Sequence, residues 1–82
     1  MTNGHDPTEV LDTCGLLCPL PVLKARKKLG ALAGGDLLEV RADDPAARVD
    51  FPHFCAEQGH DLVSQTDLDG GEMAFVIRKR RT

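Results

Sequence analysis

Tryptophan and tyrosine are absent from this 82-residue chain, and three phenylalanines are its only aromatic residues. The sequence therefore offers no evident aromatic platform on which nucleic-acid bases could stack. An excess of positive charge is also missing, because ten lysines and arginines face thirteen aspartates and glutamates, for a net charge of -3. Binding along a phosphate backbone needs a strong positive field, so we expect no direct binding of nucleic acid.

Long apolar runs and a secretory signal are missing as well. No run of about 18 apolar residues is present that could span a membrane, and Met1–Thr8 has no basic region followed by an apolar stretch. We therefore expect a cytoplasmic protein that makes no use of a membrane. Three cysteines, an odd number, do not suit a disulfide scaffold in that compartment. Their thiols are expected to fill the core, to bind a metal or to react.

The length of the chain is enough for one domain and leaves no room for a second. Residues 1–8 are polar, include Gly4 and Pro7, and predict a flexible N-terminal arm. Residues 9–80 form the predicted domain, which we expect to be a monomer. Apolar residues make up 41% of the chain and charged residues 28%, as in ordinary globular proteins.

The first half of the domain predicts a strand, a helix and a second strand. Glu9–Thr13 is a short strand candidate, followed by the turn signal Gly15. From Pro19 to about Leu32, apolar and basic residues separate onto opposite faces at the helical period, and Gly34–Gly35 predicts the end of the helix. Asp36–Ala42 alternates apolar and charged residues, which is typical of a half-buried strand.

The second half predicts a broken helix and a hairpin. Asp44 is a candidate N-cap with Pro45 at the first helical position, and Pro52 is expected to divide the helix, with the second piece ending near Gln58. Two strands, 62–68 and 73–79, flank the turn signal Asp-Gly-Gly. The order βαβαββ predicts an α+β fold, a two-layer α/β sandwich with a mixed four-stranded sheet and both helices on one face.

Cys18 is the strongest candidate for chemistry. It precedes Pro19, and Pro21 follows two positions later; two prolines this close are tolerated only in the first turn of a helix. This places Cys18 at the predicted N-cap, where the helix terminus favours the thiolate, the nucleophilic form. Pro19, Leu20, Pro21 and Gly15 are the residues that we expect to support it, with the Leu20 N–H free to donate.

With these residues in view, the chain resembles the TusA-type sulfur-carrier proteins, also called the SirA-like family. The resemblance covers nearly all of the chain from Val10 to Lys79, and its signature is the CPxP stretch at Cys18–Pro21. Other matching blocks are Leu11-Asp12, Gly15-Leu16, Gly35-Asp36, Asp43-Asp44-Pro45, Asp50-Phe51-Pro52, Phe54-Cys55, Gly59-His60 and Ile77-Arg78-Lys79.

The resemblance implies a βαβαββ sandwich and a sulfurtransferase activity in which the CPxP cysteine, here Cys18, accepts a sulfur atom as a persulfide. The implied donor is a cysteine desulfurase or another sulfurtransferase, and the implied acceptor is a downstream sulfur-relay protein. That relay could serve tRNA thiolation, molybdenum-cofactor maturation or sulfur metabolism. Such chemistry requires no cofactor and no metal. Two alternatives remain: a redox regulator that cycles a Cys14–Cys18 disulfide, and a non-catalytic interaction module.

The other candidate residues have less specific interpretations. Cys14 lies outside the family signature and is either a resolving thiol for Cys18 or a small apolar residue at a strand end. Cys55 is interpreted as a core residue. A zinc site that combines the cysteines with histidines would need an unusual spacing. The basic run 78–81 is interpreted as a solvated tail, and Asp44 as a cap without a catalytic role.

Overall fold

The computed structural model describes residues 7–81, so most of the arm predicted over residues 1–8 lies outside the described residues. The strands are β1 (Glu9–Asp12), β2 (Leu37–Ala42), β3 (Asp61–Asp67) and β4 (Met73–Arg78), and the helices are α1 (Leu20–Gly30) and α2 (Ala47–Gln58). The sheet order is β1-β2-β4-β3, with β1 parallel to β2 and the other two pairs antiparallel. The predicted order of elements and the mixed four-stranded sheet are confirmed.

The core lies between the sheet and the two helices because each strand of the central pair turns alternate side chains toward the helices. Leu38, Val40 and Ala42 of β2 pair in register with Ile77, Phe75 and Met73 of β4, and all six are buried. The helices add Ala25, Leu29, Phe51 and Phe54 to this cluster. The predicted buried faces of α1 and β2 are therefore confirmed. No helix among residues 7–81 is long and apolar enough to cross a membrane.

Helix α1 ends earlier than the sequence predicts, at Gly30 rather than near Leu32. The Ala31 N–H already bonds to the Lys28 carbonyl at 3.0 Å, which tightens the last turn and ends the regular helix. Contrary to the prediction, Gly34 does not end the helix but allows a close approach of two backbone segments, since a Cβ there would lie 2.7 Å from the Arg81 Cα. The glycine is thus required where the C-terminal segment passes close to the loop between α1 and β2.

Helix α2 is continuous through Pro52, so the predicted division into two pieces is wrong. A proline inside a helix costs about 3 kcal/mol. Phe51 and Phe54, on either side of it, are both buried, and each contributes about 1.5–3 kcal/mol by leaving water. The Phe51 ring also stacks on Phe75, with centroids 4.6 Å apart. Burial of this face therefore outweighs the cost of Pro52.

The basic run near the C-terminus is not a solvated tail, which corrects the prediction. The Lys79 ammonium donates to the carbonyls of Leu29 and Leu32, at 2.5 and 3.1 Å, where α1 ends. The Arg80 guanidinium donates to the Gln58 carbonyl at 3.1 Å, where α2 ends. Both positive groups lie at the negative ends of helix dipoles and donate to carbonyls near the last turns, among them the Leu29 carbonyl, which also accepts the Leu32 N–H at 3.1 Å.

Replacement of Lys79 by methionine is expected to reduce the free energy of unfolding by about 1.5–3 kcal/mol, the usual range for hydrogen bonds from a charged group. Methionine keeps an unbranched chain of similar length but cannot donate to the two carbonyls. Urea unfolding measures the loss. Lys24→Met removes the same charge from an exposed position on α1 and is the control. Equal losses in the two variants would contradict the capping role.

Candidate functional site at Cys18

Cys18 is exposed in the loop between β1 and α1. The sequence predicts that Cys18 is the N-cap of α1, and this prediction is wrong. The N-cap is Pro19, whose carbonyl accepts the first helical bond, from Leu23 at 3.1 Å. The Leu20 N–H, expected to be free, donates to the Leu17 carbonyl at 2.9 Å. Cys18 therefore lies one residue outside the helix, and one of the donors assigned to its thiolate is already occupied.

The loop that carries Cys18 is anchored to β2 and to the segment that follows it. Buried Thr13 donates twice to the Arg41 carbonyl, through its backbone N–H at 2.7 Å and its hydroxyl at 2.6 Å. Gly15 has φ of 87°, a conformation that favours glycine, and its N–H donates to the Asp43 Oδ1 at 2.9 Å. Gly15 therefore helps to anchor the loop through Asp43, a partner that the sequence did not indicate, and its support of Cys18 stays a prediction.

Asp44 does more than cap a turn, which corrects the prediction. Its Oδ1 accepts the Ala46 N–H at 3.1 Å, as a capping side chain does, while α2 itself begins at Ala47 with Ala46 as N-cap. Its Oδ2 accepts the backbone N–H of Cys18 at 2.7 Å. These two bonds hold the pKa of the Asp44 carboxyl below its usual range. The carboxylate is therefore ionised at neutral pH beside the candidate nucleophile.

Asp50, on the first turn of α2, faces the Cys18 sulfur. Its carboxylate is the largest cause of the raised pKa of Cys18, followed by desolvation and by the charge of Asp44. The prediction of a thiolate favoured by the helix terminus is therefore wrong in direction for the free protein. The sequence shows a helix beginning after Cys18 but not the carboxylate that α2 places opposite it.

A groove of about 280 Å³ opens between α1 and α2 beside Cys18. Val22, Leu23 and Phe54 supply apolar lining, and Arg26 and Asp50 supply charge. Leu17 and Leu20, within two residues of Cys18 in the chain, are exposed apolar side chains, and so is Leu23 in the groove. Apolar surface around an exposed thiol suits contact with another protein.

Cys14 does not share the surroundings of Cys18. It is half-buried next to Asp12 and Glu72, on the side of the loop toward the start of β4, whereas Cys18 faces α2. Desolvation, followed by the hydrogen bonds to these two carboxylates, raises the pKa of Cys14 to about 12. All three cysteines are free thiols. A thiol with so high a pKa is almost fully protonated at neutral pH and attacks poorly.

Cys14→Ser is accordingly expected to leave the lifetime of a persulfide on Cys18 unchanged. A resolving thiolate would attack the inner sulfur, expel hydrosulfide and close a disulfide, and Cys14 is protonated in the free protein. The measurement is the rate of hydrosulfide release from loaded wild type and variant, each purified from the donor. Slower release from the variant would make Cys14 a resolving thiol after all.

Cys55 is buried at 2% exposure, and burial raises its pKa to about 11, so its interpretation as a core residue is confirmed. Among the described residues 7–81, no group of three or more histidine, cysteine or acidic side chains could hold a metal ion.

The residues that sequence reasoning missed are Asp43, Asp44 and Asp50. They belong to two of the blocks that matched the family, but nothing local in them points to a cysteine about 30 positions earlier.

Comparison with known proteins identifies relatives of this chain. The sequence profile of the family described as "Sulfurtransferase TusA" matches residues 9–79. The "Sulfur carrier protein TusA" of Pseudomonas aeruginosa is 43% identical over 76 residues, 93% of this chain and 95% of that protein. The protein of the same name from Allochromatium vinosum is 40% identical over 74 residues, 90% of this chain and 96% of that protein.

A solved structure shows the same fold. The crystal structure of a SirA-like protein from Desulfitobacterium hafniense superposes with a TM-score of 0.80, covering 90% of this chain and all of that chain at 24% identity. At that identity the likeness concerns the fold alone. The match of the family profile over residues 9–79 and the identity of 40–43% to two named sulfur carriers show that this chain belongs to the TusA family of sulfur carriers and sulfurtransferases.

Proposed function

We propose that the protein carries sulfane sulfur as a persulfide on Cys18 and transfers it from a donor protein to an acceptor protein. The observation that supports this most directly is the placement of Cys18: an exposed thiol on an anchored loop, next to an apolar groove, in a chain of the TusA family. An exposed sulfur atom on the rim of such a groove can be reached by two partners in turn. The activity is that of a transferase of sulfur-containing groups.

The transfer is a thiol exchange in which no redox co-reactant is consumed. The Cys18 thiolate attacks the outer sulfur of a donor persulfide, a new S–S bond forms, and the donor's S–S bond breaks. The electron pair leaves with the donor's cysteine, which takes up a proton to replace the one that Cys18 loses. In the second half, an acceptor thiolate attacks the outer sulfur of loaded Cys18, and Cys18 is the leaving group.

The partners follow from this chemistry. The donor is a cysteine desulfurase or another sulfurtransferase that presents a persulfide, and the acceptor is a downstream sulfur-relay protein with a nucleophilic thiol. We place this exchange in the cytoplasm, where thiols stay reduced. The relay could serve tRNA thiolation, molybdenum-cofactor maturation or sulfur metabolism, and the identity of the acceptor decides between them.

Mass spectrometry after incubation with a cysteine desulfurase and free cysteine tests the proposal. We expect the intact protein to gain about 32 Da, the mass of one sulfur atom, and peptide mapping to place that gain on Cys18. The loss of about 2 Da with Cys14 and Cys18 in one crosslinked peptide would instead show the redox regulator. An unchanged mass with a desulfurase that loads another TusA protein would favour the non-catalytic interaction module.

A further inference from the structure

One side chain joins the backbone of Cys18 to the start of the helix that carries Asp50. Asp44 Oδ2 accepts the Cys18 N–H at 2.7 Å, and Asp44 Oδ1 accepts the Ala46 N–H at 3.1 Å. Cys18 lies 26 positions earlier in the chain, so the first bond is a tertiary contact. A hydrogen bond to an ionised acceptor is stronger and shorter than one between neutral groups. The contact therefore restricts the loop at Cys18 itself.

The neighbouring contacts of the loop hold it farther from the sulfur atom. Asp12 accepts the Cys14 N–H and Asp43 accepts the Gly15 N–H, each at 2.9 Å. Leu16 and Leu17 separate these anchors from Cys18. The Leu17 carbonyl accepts the Leu20 N–H across Cys18, but Asp44 is the group that accepts the N–H of Cys18 itself. The orientation of that peptide group, and with it the direction of the Cα–Cβ bond, therefore depends in part on Asp44.

We propose that Asp44 is a positioning residue that fixes the direction in which Cys18 presents its sulfur atom to a docked protein. The inference rests on the proposed function, because it concerns sulfur transfer through Cys18. In that step the attacking sulfur approaches the donor's outer sulfur in line with the S–S bond that breaks. A reaction between two protein-bound groups depends steeply on such alignment, whereas a small reagent adjusts its own approach.

Asp44→Asn separates the two contacts of this side chain. The amide has only one acceptor oxygen, so it can keep only one of the two contacts. Asparagine is a favoured capping residue, and we expect its oxygen to keep the Ala46 N–H. The amide nitrogen cannot accept the Cys18 N–H, which then loses its acceptor. Asp36→Asn is the matched control. It removes one negative charge from another carboxylate that accepts a backbone N–H, that of Ala33 at 2.9 Å, in the loop between α1 and β2.

Two rates are expected to respond differently in Asp44→Asn. Alkylation of Cys18 by iodoacetamide at neutral pH should be as fast as in wild type or faster, because the Asp44 charge contributes to the raised pKa of that thiol. The maximal single-turnover rate of sulfur transfer from a loaded cysteine desulfurase should fall about tenfold, a modest cost for lost alignment. The half-saturating donor concentration should stay near that of wild type, since docking is not affected.

The control and the wild type make each outcome decisive. A maximal transfer rate equal to that of Asp36→Asn would overturn the positioning role, and so would a parallel fall in alkylation and transfer. Cys55 is buried, so faster alkylation of Cys55 reports unfolding. If Asp44→Asn shows such unfolding, the alkylation and transfer rates are measured instead on Asp44→Ser, which keeps a hydroxyl that can cap the turn. If wild type accepts no sulfur while its Cys18 alkylates normally, the proposed function fails and this inference fails with it.

Discussion

Cys18→Ser is expected to abolish sulfur loading, because a serine hydroxyl stays protonated at neutral pH and cannot form the S–S bond of a persulfide. The change removes one exposed sulfur atom and leaves the backbone contact from Cys18 N–H to Asp44 available. The fold should therefore persist, with a thermal midpoint close to that of wild type. Whole-protein mass after incubation with desulfurase and cysteine measures the loss.

Cys14→Ser is the matched control for this result, since it makes the same atomic change four residues away. We expect it to load like wild type, because desolvation and the nearby carboxylates of Asp12 and Glu72 raise the pKa of its thiol, and Cys14 does not line the groove. A gain of one sulfur atom in Cys18→Ser, mapped to Cys14 or Cys55, would contradict the assignment of Cys18. Loss of loading in both variants would show that the two thiols act together.

Asp50→Asn is expected to increase the reactivity of Cys18 several-fold at neutral pH. The Asp50 carboxylate is the largest cause of the raised pKa of that thiol, so its neutral isostere lowers the pKa and increases the thiolate fraction. The pH profile of alkylation should shift to lower pH. The gain in rate should be smaller than the gain in thiolate, because nucleophilicity falls as the pKa falls.

Rates of iodoacetamide alkylation across a pH series measure this shift. Glu57→Gln is the control, since it removes a carboxylate from the same helix that has no part in the raised pKa of Cys18. The ionisable side chains that line the groove beside the thiol are Arg26 on α1 and Asp50, His53 and Glu57 on α2, and Asp44 on the preceding loop adds its charge. An alkylation profile that does not move in Asp50→Asn would contradict the role assigned to this carboxylate.

The raised pKa of Cys18 has a consequence for a carrier. In the free protein the raised pKa leaves less of the Cys18 thiol ionised than in an ordinary cysteine, which slows its reaction with oxidants and electrophiles. Transfer requires the thiolate, so the proton must leave when the donor is docked. Because more of Cys18 is ionised at higher pH, the rate of loading should rise with pH through neutrality.

The sequence by itself determined the order of the elements, the buried faces of α1 and β2, and the candidate nucleophile. Each depends on residues close together in the chain. Periodicity places Ala25 and Leu29 on one face of α1, and two prolines require that the helix begin next to Cys18. Such patterns are local, and local geometry is the same in any fold that contains these elements.

Only the tertiary structure decided which distant groups meet. Pro52 stays inside a helix because Phe51 stacks on Phe75, and Lys79 caps α1 across 50 positions of sequence. The state of the Cys18 thiol was decided in the same way, because Asp44 and Asp50 face it from a segment that the sheet brings across the loop. Electrostatic and packing energies depend on distance in space, which the local pattern of a chain does not contain.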